Sequence, residues 1–258
     1  LFPDDDSGRI PIVGIAGTRS GTAIARLIAE FARLGGMHAG LACGDGLYVD
    51  GRRIASGDCA HWEPARRLLM NRRVEAAIIE NDGEAIVSEG LAYDRCHVGL
   101  VTGIDDDAQI PGFDIASAEQ MYGVLRTQVD VVLAEGAAVL NAGDPLVARM
   151  ASLCDGDVVF YDTGAGQSVI DAHLATGRRA VLVRGGRVVL ATGDRSQPVA
   201  DVARIELGDS AAQGPGRLDD LLAAIASAWA LGISPDLIRT GIETLCATRS
   251  ESSESVVA

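Results

Sequence analysis

The stretch at residues 10–36, IPIVGIAG followed by TRSGTAIARLIAEFARLGG, constrains the fold more than any other part of the chain. A short apolar run rich in β-branched residues ends at Gly17. After it, apolar residues recur at helical spacing, and a pair of glycines, Gly35 and Gly36, gives a C-cap signal. This order predicts a buried strand, a glycine-bearing turn and an amphipathic helix.

Strands and helices then alternate through the first 160 residues. Apolar runs at 74–81, 97–104 and 137–143 predict buried strands, and 117–136 reads as one long amphipathic helix. A further helix is expected to start with Asp144 as its N-cap. The alternation predicts an α/β fold with a mostly parallel sheet, flanking helices and right-handed crossovers.

The second half of the chain has a different pattern. Gly185–Gly186 predicts a hairpin, which is expected to belong to a small β-hairpin-containing sub-lobe. In the first half of the chain, Asp50–Gly51 predicts another hairpin. The segments 218–232 and 234–245 predict a closing pair of helices. Because the first of these is richly apolar, part of its face could be exposed for a protein contact. The polar tail at 247–258 is predicted to be disordered.

The composition narrows the function classes. Aromatic residues make up only 4% of the chain against 48% hydrophobic residues, which favours α/β layers built from Ala, Val, Leu and Ile. The formal net charge of -14 argues against a nucleic-acid or anionic-membrane partner. Five scattered cysteines without a CxxC pair predict free thiols in the cytoplasm. The chain opens at Leu1, so residues 1–11 are interpreted as a linker from an upstream domain, and 12–246 as one domain.

The turn at 14–22, GIAGTRSGT, has the position and much of the composition of a phosphate-binding loop. Such a loop needs glycines for converging N–H groups, a lysine for the phosphates and a Ser or Thr for magnesium. Thr22 stands where the magnesium hydroxyl belongs, but Gly21 occupies the lysine position. Taken alone, the turn could equally be a connection without a ligand.

Several longer motifs carry a family resemblance. They are GRIPIVGIAGT, IARLIAEFAR, DGLYVDGRRIASGDC, EGLAYDRCHVGLVTGI, AVLNAGDPLV and AAIASAWALGI, in this order along almost the whole chain. With these motifs the chain resembles the Mur-ligase-like portion of cyanophycin synthetases, which join aspartate and arginine using ATP. The resemblance implies a P-loop-type Mur ligase central domain.

The resemblance also assigns site residues, most of them altered. The nucleotide-binding positions are Gly17, Thr18, Arg19, Ser20, Gly21, Thr22 and, for the adenine contact, Asp220. The metal positions are Thr22 and Glu80. The family loop GTNGKTT reads GTRSGTA here, and TNIAADH reads TGIDDDA, so that Gly103 and Ala108 replace an asparagine and a metal-binding histidine. NADDP has become NAGDP, which places Gly143 at an aspartate position.

These losses lead to the expectation of a catalytically silent domain that lacks the family's C-terminal lobe. It would serve as a scaffold or dimerisation domain for an upstream ATP-grasp domain, in a homo-oligomer. ATP and Mg would then belong to the parent enzyme. Two alternatives stay open: an active ligase in which Arg19 replaces the lysine charge, and a module that senses ATP without turnover. The acidic run at 105–107 is interpreted as a solvated loop in preference to a cation site.

Overall fold

A computed structural model describes residues 8–19, 21–205 and 218–254. The strands are β1 Ile12–Ala16, β2 Ala39–Cys43, β3 Gly46–Val49, β4 Arg52–Ser56, β5 Ala76–Glu80, β6 Cys96–Val101, β7 Val132–Asn141, β8 Asp157–Asp162, β9 Arg179–Arg184, β10 Arg187–Thr192 and β11 Arg195–Asp201. The helices are α1 Gly21–Leu34, α2 Trp62–Leu69, α3 Gly83–Ser88, α4 Ala118–Leu125, α5 Thr127–Asp130, α6 Pro145–Arg149, α7 Gln167–Ala175, α8 Leu218–Ala230 and α9 Pro235–Glu254. Short 3₁₀ turns lie at Met150–Leu153 and Val202–Arg204.

The strands of the described residues form one 11-stranded sheet in the order β11-β10-β9-β8-β7-β6-β1-β5-β2-β3-β4. From β9 through to β2 in that order, every neighbouring pair is parallel. The predicted parallel sheet with flanking helices is therefore confirmed. Both predicted hairpins form, and they are the antiparallel edges of this one sheet, so that they do not build a separate sub-lobe. The turn residues Asp50 and Gly51 both have positive φ, as a tight hairpin turn requires.

The topology places the loop after β1 at a switch point of the sheet. From β1 the chain crosses through α1 to β2 on one side, whereas β6, the other neighbour of β1, continues through α4 and α5 to β7 on the other side. Because right-handed crossovers in opposite directions put their helices on opposite faces, a crevice opens between the ends of β1 and β6. Ligands of open α/β sheets bind in such crevices.

The core has a layer on each face of the sheet. Val139 and Val159 face the layer of α1, α8 and α9, whereas the next residues, Leu140 and Phe160, face the opposite layer. Helix α8 lies at the centre of the first layer, and its residues from Asp220 to Ala228 are all buried. The expectation that α8 exposes an apolar face is therefore wrong: the sheet on one side and α1 and α9 on the other cover it.

Two other element boundaries differ from the sequence prediction. The long helix predicted over 117–136 ends at Asp130, and its last residues belong to β7, where Val132 pairs with Cys96 of β6. Helix α9 extends to Glu254, past the predicted boundary at 246, and the division into a linker, a domain and a tail stays a prediction. Most of the predicted linker at 1–11, its first seven residues, lies outside the described residues. No helix in the described part of the chain is long and apolar enough to span a membrane.

Candidate functional site

The loop after β1 is fastened to the segment that follows β6. The backbone N–H of Thr18 donates to the carbonyl oxygen of Gly103 over 3.0 Å, and the Thr18 hydroxyl accepts from the N–H of Asp105 over 2.9 Å. The Thr102 hydroxyl donates to the carbonyl oxygen of Arg19 over 2.9 Å. The loop thus forms hydrogen bonds to the neighbouring segment, and the Thr18 N–H is already bound to the Gly103 carbonyl oxygen.

Gly17 is required by this close approach. Its φ is +147°, a region that residues with a side chain rarely adopt, and a Cβ at this position would lie 2.0 Å from the Thr102 hydroxyl oxygen. The sequence alone explains this glycine as part of a phosphate loop. In the structure, contact with the neighbouring strand end already explains it.

Arg19 is the residue that could replace the missing lysine charge. Its guanidinium Nε lies 2.5 Å from Oδ1 of Asp105, and both side chains are about two-fifths exposed, at 37% and 40%. A half-exposed ion pair contributes little stability, on the order of 1 kcal/mol or less. It does, however, neutralise the guanidinium and turn it toward the loop after β6, where Gly103 leaves room beside it.

Thr22 and Glu80, the two predicted metal positions, do come together. The Thr22 hydroxyl donates to Glu80 Oε2 over 2.7 Å, and the backbone N–H of Gly44 donates to the same oxygen over 2.8 Å. Burial raises the pKa of the Glu80 carboxyl above its ordinary value, and the two hydrogen bonds oppose that shift. Among the described residues, no cluster of three or more His, Cys, Asp or Glu side chains could hold a metal ion.

Gly21 borders this pair. A Cβ built on Gly21 would lie 2.2 Å from Glu80 Oε1 and 2.8 Å from its carboxyl carbon. The Glu80 carboxyl group therefore lies directly against the lysine position of the loop. Ser20, the remaining loop position, lies outside the described residues.

A cavity of about 410 Å³ opens beside the loop at the ends of β6, β7 and β8. Its charged lining in the described part of the chain is four aspartates and one arginine: Asp106, Asp144, Asp162, Asp219 and Arg19. Asn141 and Gly143 also line it. Asp144 caps α6 by accepting from Leu146 and Val147, as predicted, and its other oxygen accepts from the N–H of Ile104 over 2.8 Å.

The other positions taken from the family resemblance lie as follows. Ala108, at the histidine position, is buried in an apolar cluster with Ile110. A Cβ on Gly143 would lie 3.0 Å from Asp162 Oδ1, so an aspartate there would crowd a second carboxylate. Asp220 is buried in the first turn of α8 and does not line the cavity, whereas the adjacent Asp219 does. A role of Asp220 in holding adenine stays a prediction.

A buried polar trio beneath the loop strand was not expected from the sequence. The side chains of Asn81, Tyr93 and Gln128 are mutually hydrogen-bonded: Asn81 Nδ2 lies 2.8 Å from the Tyr93 hydroxyl and 3.0 Å from Gln128 Oε1, and the hydroxyl donates to Oε1 over 2.8 Å. A Cβ on Gly14 of β1 would lie 2.0 Å from the Tyr93 hydroxyl. The trio thus packs against the strand that leads into the loop. Its members are far apart in the sequence, which is why no local motif indicates them.

A triphosphate, which the resemblance implies, does not fit the charges of the described arrangement. The loop has glycine at the lysine position, the Glu80 carboxyl group lies against it, Arg19 is paired with Asp105, and four aspartates are among the residues that line the adjoining cavity. These carboxylates would repel a triphosphate, whereas phosphoryl transfer depends on positive charge placed there in advance.

Comparison with known proteins places this geometry in a family context. No family model matches the chain. Cyanophycin synthetase of Crocosphaera subtropica is 32% identical over 251 residues, which are 97% of this chain and 29% of that protein. A UDP-N-acetylmuramoyl-L-alanyl-D-glutamate–2,6-diaminopimelate ligase of Geobacter metallireducens is 28% identical over 94% of this chain and 46% of its own length. The chain thus spans less than a third of the Crocosphaera protein.

Solved structures show the same fold. One is another UDP-N-acetylmuramoyl-L-alanyl-D-glutamate–2,6-diaminopimelate ligase, with a TM-score of 0.65 and 15% identity over 90% of this chain and 46% of that one. A second is E. coli FolC in complex with DHPP and ADP, with a TM-score of 0.59 and 14% identity over 90% of this chain and 56% of that one. The sheet, its flanking helices and the sequence matches along nearly the whole length agree: the chain is a Mur-ligase-like domain, similar in sequence to a part of cyanophycin synthetases.

Proposed function

We propose that this domain performs no ATP turnover and acts as a scaffold in a cyanophycin synthetase-like amide ligase. In this proposal an ATP-grasp domain, upstream in the same parent chain, carries out the ligation with ATP and Mg. The Mur-like domain supports it and dimerises, and the parent protein works in the cytoplasm. The sequence relatives support the kind of parent enzyme. The geometry of the loop supports the absence of ATP turnover in this domain.

The charge of the cavity beside the loop is the observation that carries the proposal. Four aspartates line the cavity together with Arg19, and Arg19 pairs with Asp105. At about 4 Å and an effective dielectric constant of 20, two like charges repel by about 4 kcal/mol. A triphosphate in contact with even one unneutralised carboxylate would therefore lose much of its binding energy.

The fold around the loop is suited to a scaffold. The sheet has 11 strands and carries packed helices on both faces, with α8 buried at the centre of one layer. A domain of this size with an intact core can hold a partner domain in place without chemistry of its own.

One observation favours a second candidate, a module that senses ATP without turnover. Thr22 and Glu80, the two family metal positions, are both present and lie 2.7 Å apart. Both side chains carry oxygen atoms, which are the ligands that Mg²⁺ prefers. This candidate differs from the first because it requires nucleotide binding.

Calorimetry of the chain with Mg-ATP, together with an assay of phosphate release, tests the proposal. We expect no saturable heat up to millimolar nucleotide and no phosphate release above the buffer rate. Binding without hydrolysis would replace the proposal by the sensing module. Hydrolysis that is lost in Arg19→Ala but kept in Arg33→Ala would replace it by an active ligase, since Arg33 lies on the exposed side of α1 in a pair with Glu30. Dimerisation is tested by sedimentation equilibrium, where a monomer at 100 µM would contradict it.

A further inference from the structure

Asp162, the last residue of β8, is almost completely buried, yet one of its carboxyl oxygens has no donor from the protein. The residue is 4% exposed. Its Oδ2 accepts from the backbone N–H of Gly164 over 2.8 Å, whereas no group of the described residues donates a hydrogen bond to Oδ1. A buried acceptor without a donor is costly, so Oδ1 needs a partner from outside the chain.

This oxygen faces the cavity beside the loop. Asp162 and Gly143 both line that cavity. A Cβ on Gly143 would lie 3.0 Å from Asp162 Oδ1, so the glycine leaves open the space in front of the oxygen. A molecule in the cavity can therefore donate a hydrogen bond to it.

The other charges of the cavity favour a cation as that molecule. Three further aspartates line it: Asp106, Asp144 and Asp219. The positive charge of the lining in the described part of the chain is Arg19, which is paired with Asp105, a residue outside the lining. A cleft lined by charges of one sign concentrates ions of the opposite sign.

The arrangement of the carboxylates favours an organic cation over a metal ion. In the part of the chain that the structure describes, no three His, Cys, Asp or Glu side chains are grouped so that they could hold a metal. The two oxygens of Asp144 already accept from three backbone N–H groups. The cavity volume of about 410 Å³ is within the usual range of small-molecule sites. A molecule with two separate ammonium groups can meet carboxylates that a single ion cannot join.

We propose that this cavity binds a small organic dication with two ammonium groups, and that Asp162 Oδ1 accepts a hydrogen bond from one of them. The second ammonium group lies among the remaining carboxylates of the lining. The inference rests on the proposed absence of ATP turnover, because the carboxylates that would repel a triphosphate are the ones that hold the amine.

Calorimetry of the 258-residue chain with the linear diamine putrescine tests the inference. The diol of the same length is the uncharged control. We expect saturable binding of putrescine and none of the diol. Binding should weaken as the salt concentration rises, because salt screens the attraction between the charges.

Asp162→Asn removes the negative charge and nearly keeps the shape of the side chain. We expect it to weaken putrescine binding by about tenfold or more, because a hydrogen bond between two charged groups is lost. Asp194→Asn is the matched control, since it changes the net charge equally. Asp194 is exposed in the turn between β10 and β11, next to the start of β9 and thus at the opposite end of the sheet from the cavity. It should change binding by less than about twofold.

Asp106→Asn replaces Asp162→Asn in the test if the latter fails to fold, which circular dichroism shows. Asp106 is exposed at the cavity, so its substitution leaves the core intact. We expect it to weaken putrescine binding by about threefold, the usual effect of one exposed ion pair. An effect no larger than that of Asp194→Asn would overturn the inference.

Four further results would overturn it. One is the absence of saturable putrescine binding up to about 10 mM. Another is equal weakening by Asp162→Asn and Asp194→Asn, which would indicate attraction by net charge alone. A third is binding of the diol as tight as that of putrescine. The fourth is tighter binding of Mg²⁺ than of putrescine, lost in Asp162→Asn, which would replace the amine by a metal ion.

The two proposals fail in distinguishable ways. Mg-ATP hydrolysis by the unmodified chain would refute the proposed function even where putrescine binds. A chain that neither binds nor hydrolyses Mg-ATP and does not bind putrescine would refute the amine site and leave the proposed function standing.

Discussion

Replacing Gln128 by leucine should destabilise the domain by about 2–4 kcal/mol. Gln128 is fully buried, and its Oε1 accepts from the Tyr93 hydroxyl over 2.8 Å and from Asn81 Nδ2 over 3.0 Å. In Gln128→Leu the Tyr93 hydroxyl proton has no acceptor in the trio. A stranded buried donor costs about 1–3 kcal/mol, and the lost hydrogen bonds add about 1 kcal/mol.

Tyr93→Phe should cost less, about 1 kcal/mol, although it removes hydrogen bonds from the same trio. After this substitution Asn81 Nδ2 still donates to Gln128 Oε1, so every remaining polar group keeps a partner. In the double variant the stranded hydroxyl no longer exists. Its cost should therefore fall below the sum of the single variants by about 1–2 kcal/mol, the range found for residues in one hydrogen-bond network.

Urea unfolding followed by circular dichroism measures all three variants, with the m-value checked for constancy. Two results would refute the reasoning. One is a Tyr93→Phe variant that is less stable than Gln128→Leu, because the order follows from which group is stranded. The other is strict additivity in the double variant, which would mean that the trio does not act as a network.

Three further predictions concern single positions. Gly17→Ala should lower the free energy of unfolding by at least about 3 kcal/mol, because it adds backbone strain and a collision with Thr102. Gly90→Ala, where φ is also positive but the space is open, should lower it by the strain of about 1 kcal/mol alone. Chemical denaturation compares the two variants, and equal losses would contradict the collision. In the same assay, Asp144→Ala should lower the free energy of unfolding by about 2 kcal/mol, because three backbone N–H groups lose their acceptor. A loss under about 0.5 kcal/mol would contradict the role of Asp144 as the cap. Burial lowers the pKa of His97, so the unfolded chain binds the proton first as pH falls below about 6.5, and the stability of the folded chain drops. Between pH 7 and 5, His97→Asn should therefore lose less stability than the unmodified chain. A pH profile of stability that is the same in both proteins would contradict this.

Local sequence signals predicted the parts of the fold that depend on neighbouring residues. The strand, turn and helix at 12–34, both hairpin turns and the Asp144 cap appear where the sequence placed them. Each depends on a short-range rule: apolar periodicity, a left-handed turn conformation, or a side chain that accepts from the next two amides.

Features that depend on long-range contacts were mispredicted or missed. Residues 132–136 continue a helical pattern in sequence, but pairing of β7 with β6 draws them into the sheet. Helix α8 was expected to be partly exposed because it is richly apolar and the domain was expected to lack the family's C-terminal lobe, but the structure buries every residue from Asp220 to Ala228. Likewise, the pairing of Arg19 with Asp105 joins residues 86 positions apart, so the sequence could not show that this charge is engaged.

Contacts within the domain account for glycines of the loop that would otherwise be attributed to phosphate binding. Gly14 is required by the Tyr93 hydroxyl and Gly17 by Thr102, because a Cβ at each would lie 2.0 Å from the neighbouring oxygen. Both contacts are made by the domain's own side chains, and neither of them involves a phosphate. Packing alone is therefore enough to retain a glycine-rich turn after its lysine is gone. For a strand-turn-helix of this kind, the charged residues around the loop, and whether they are already paired, decide nucleotide binding, whereas the glycine spacing does not.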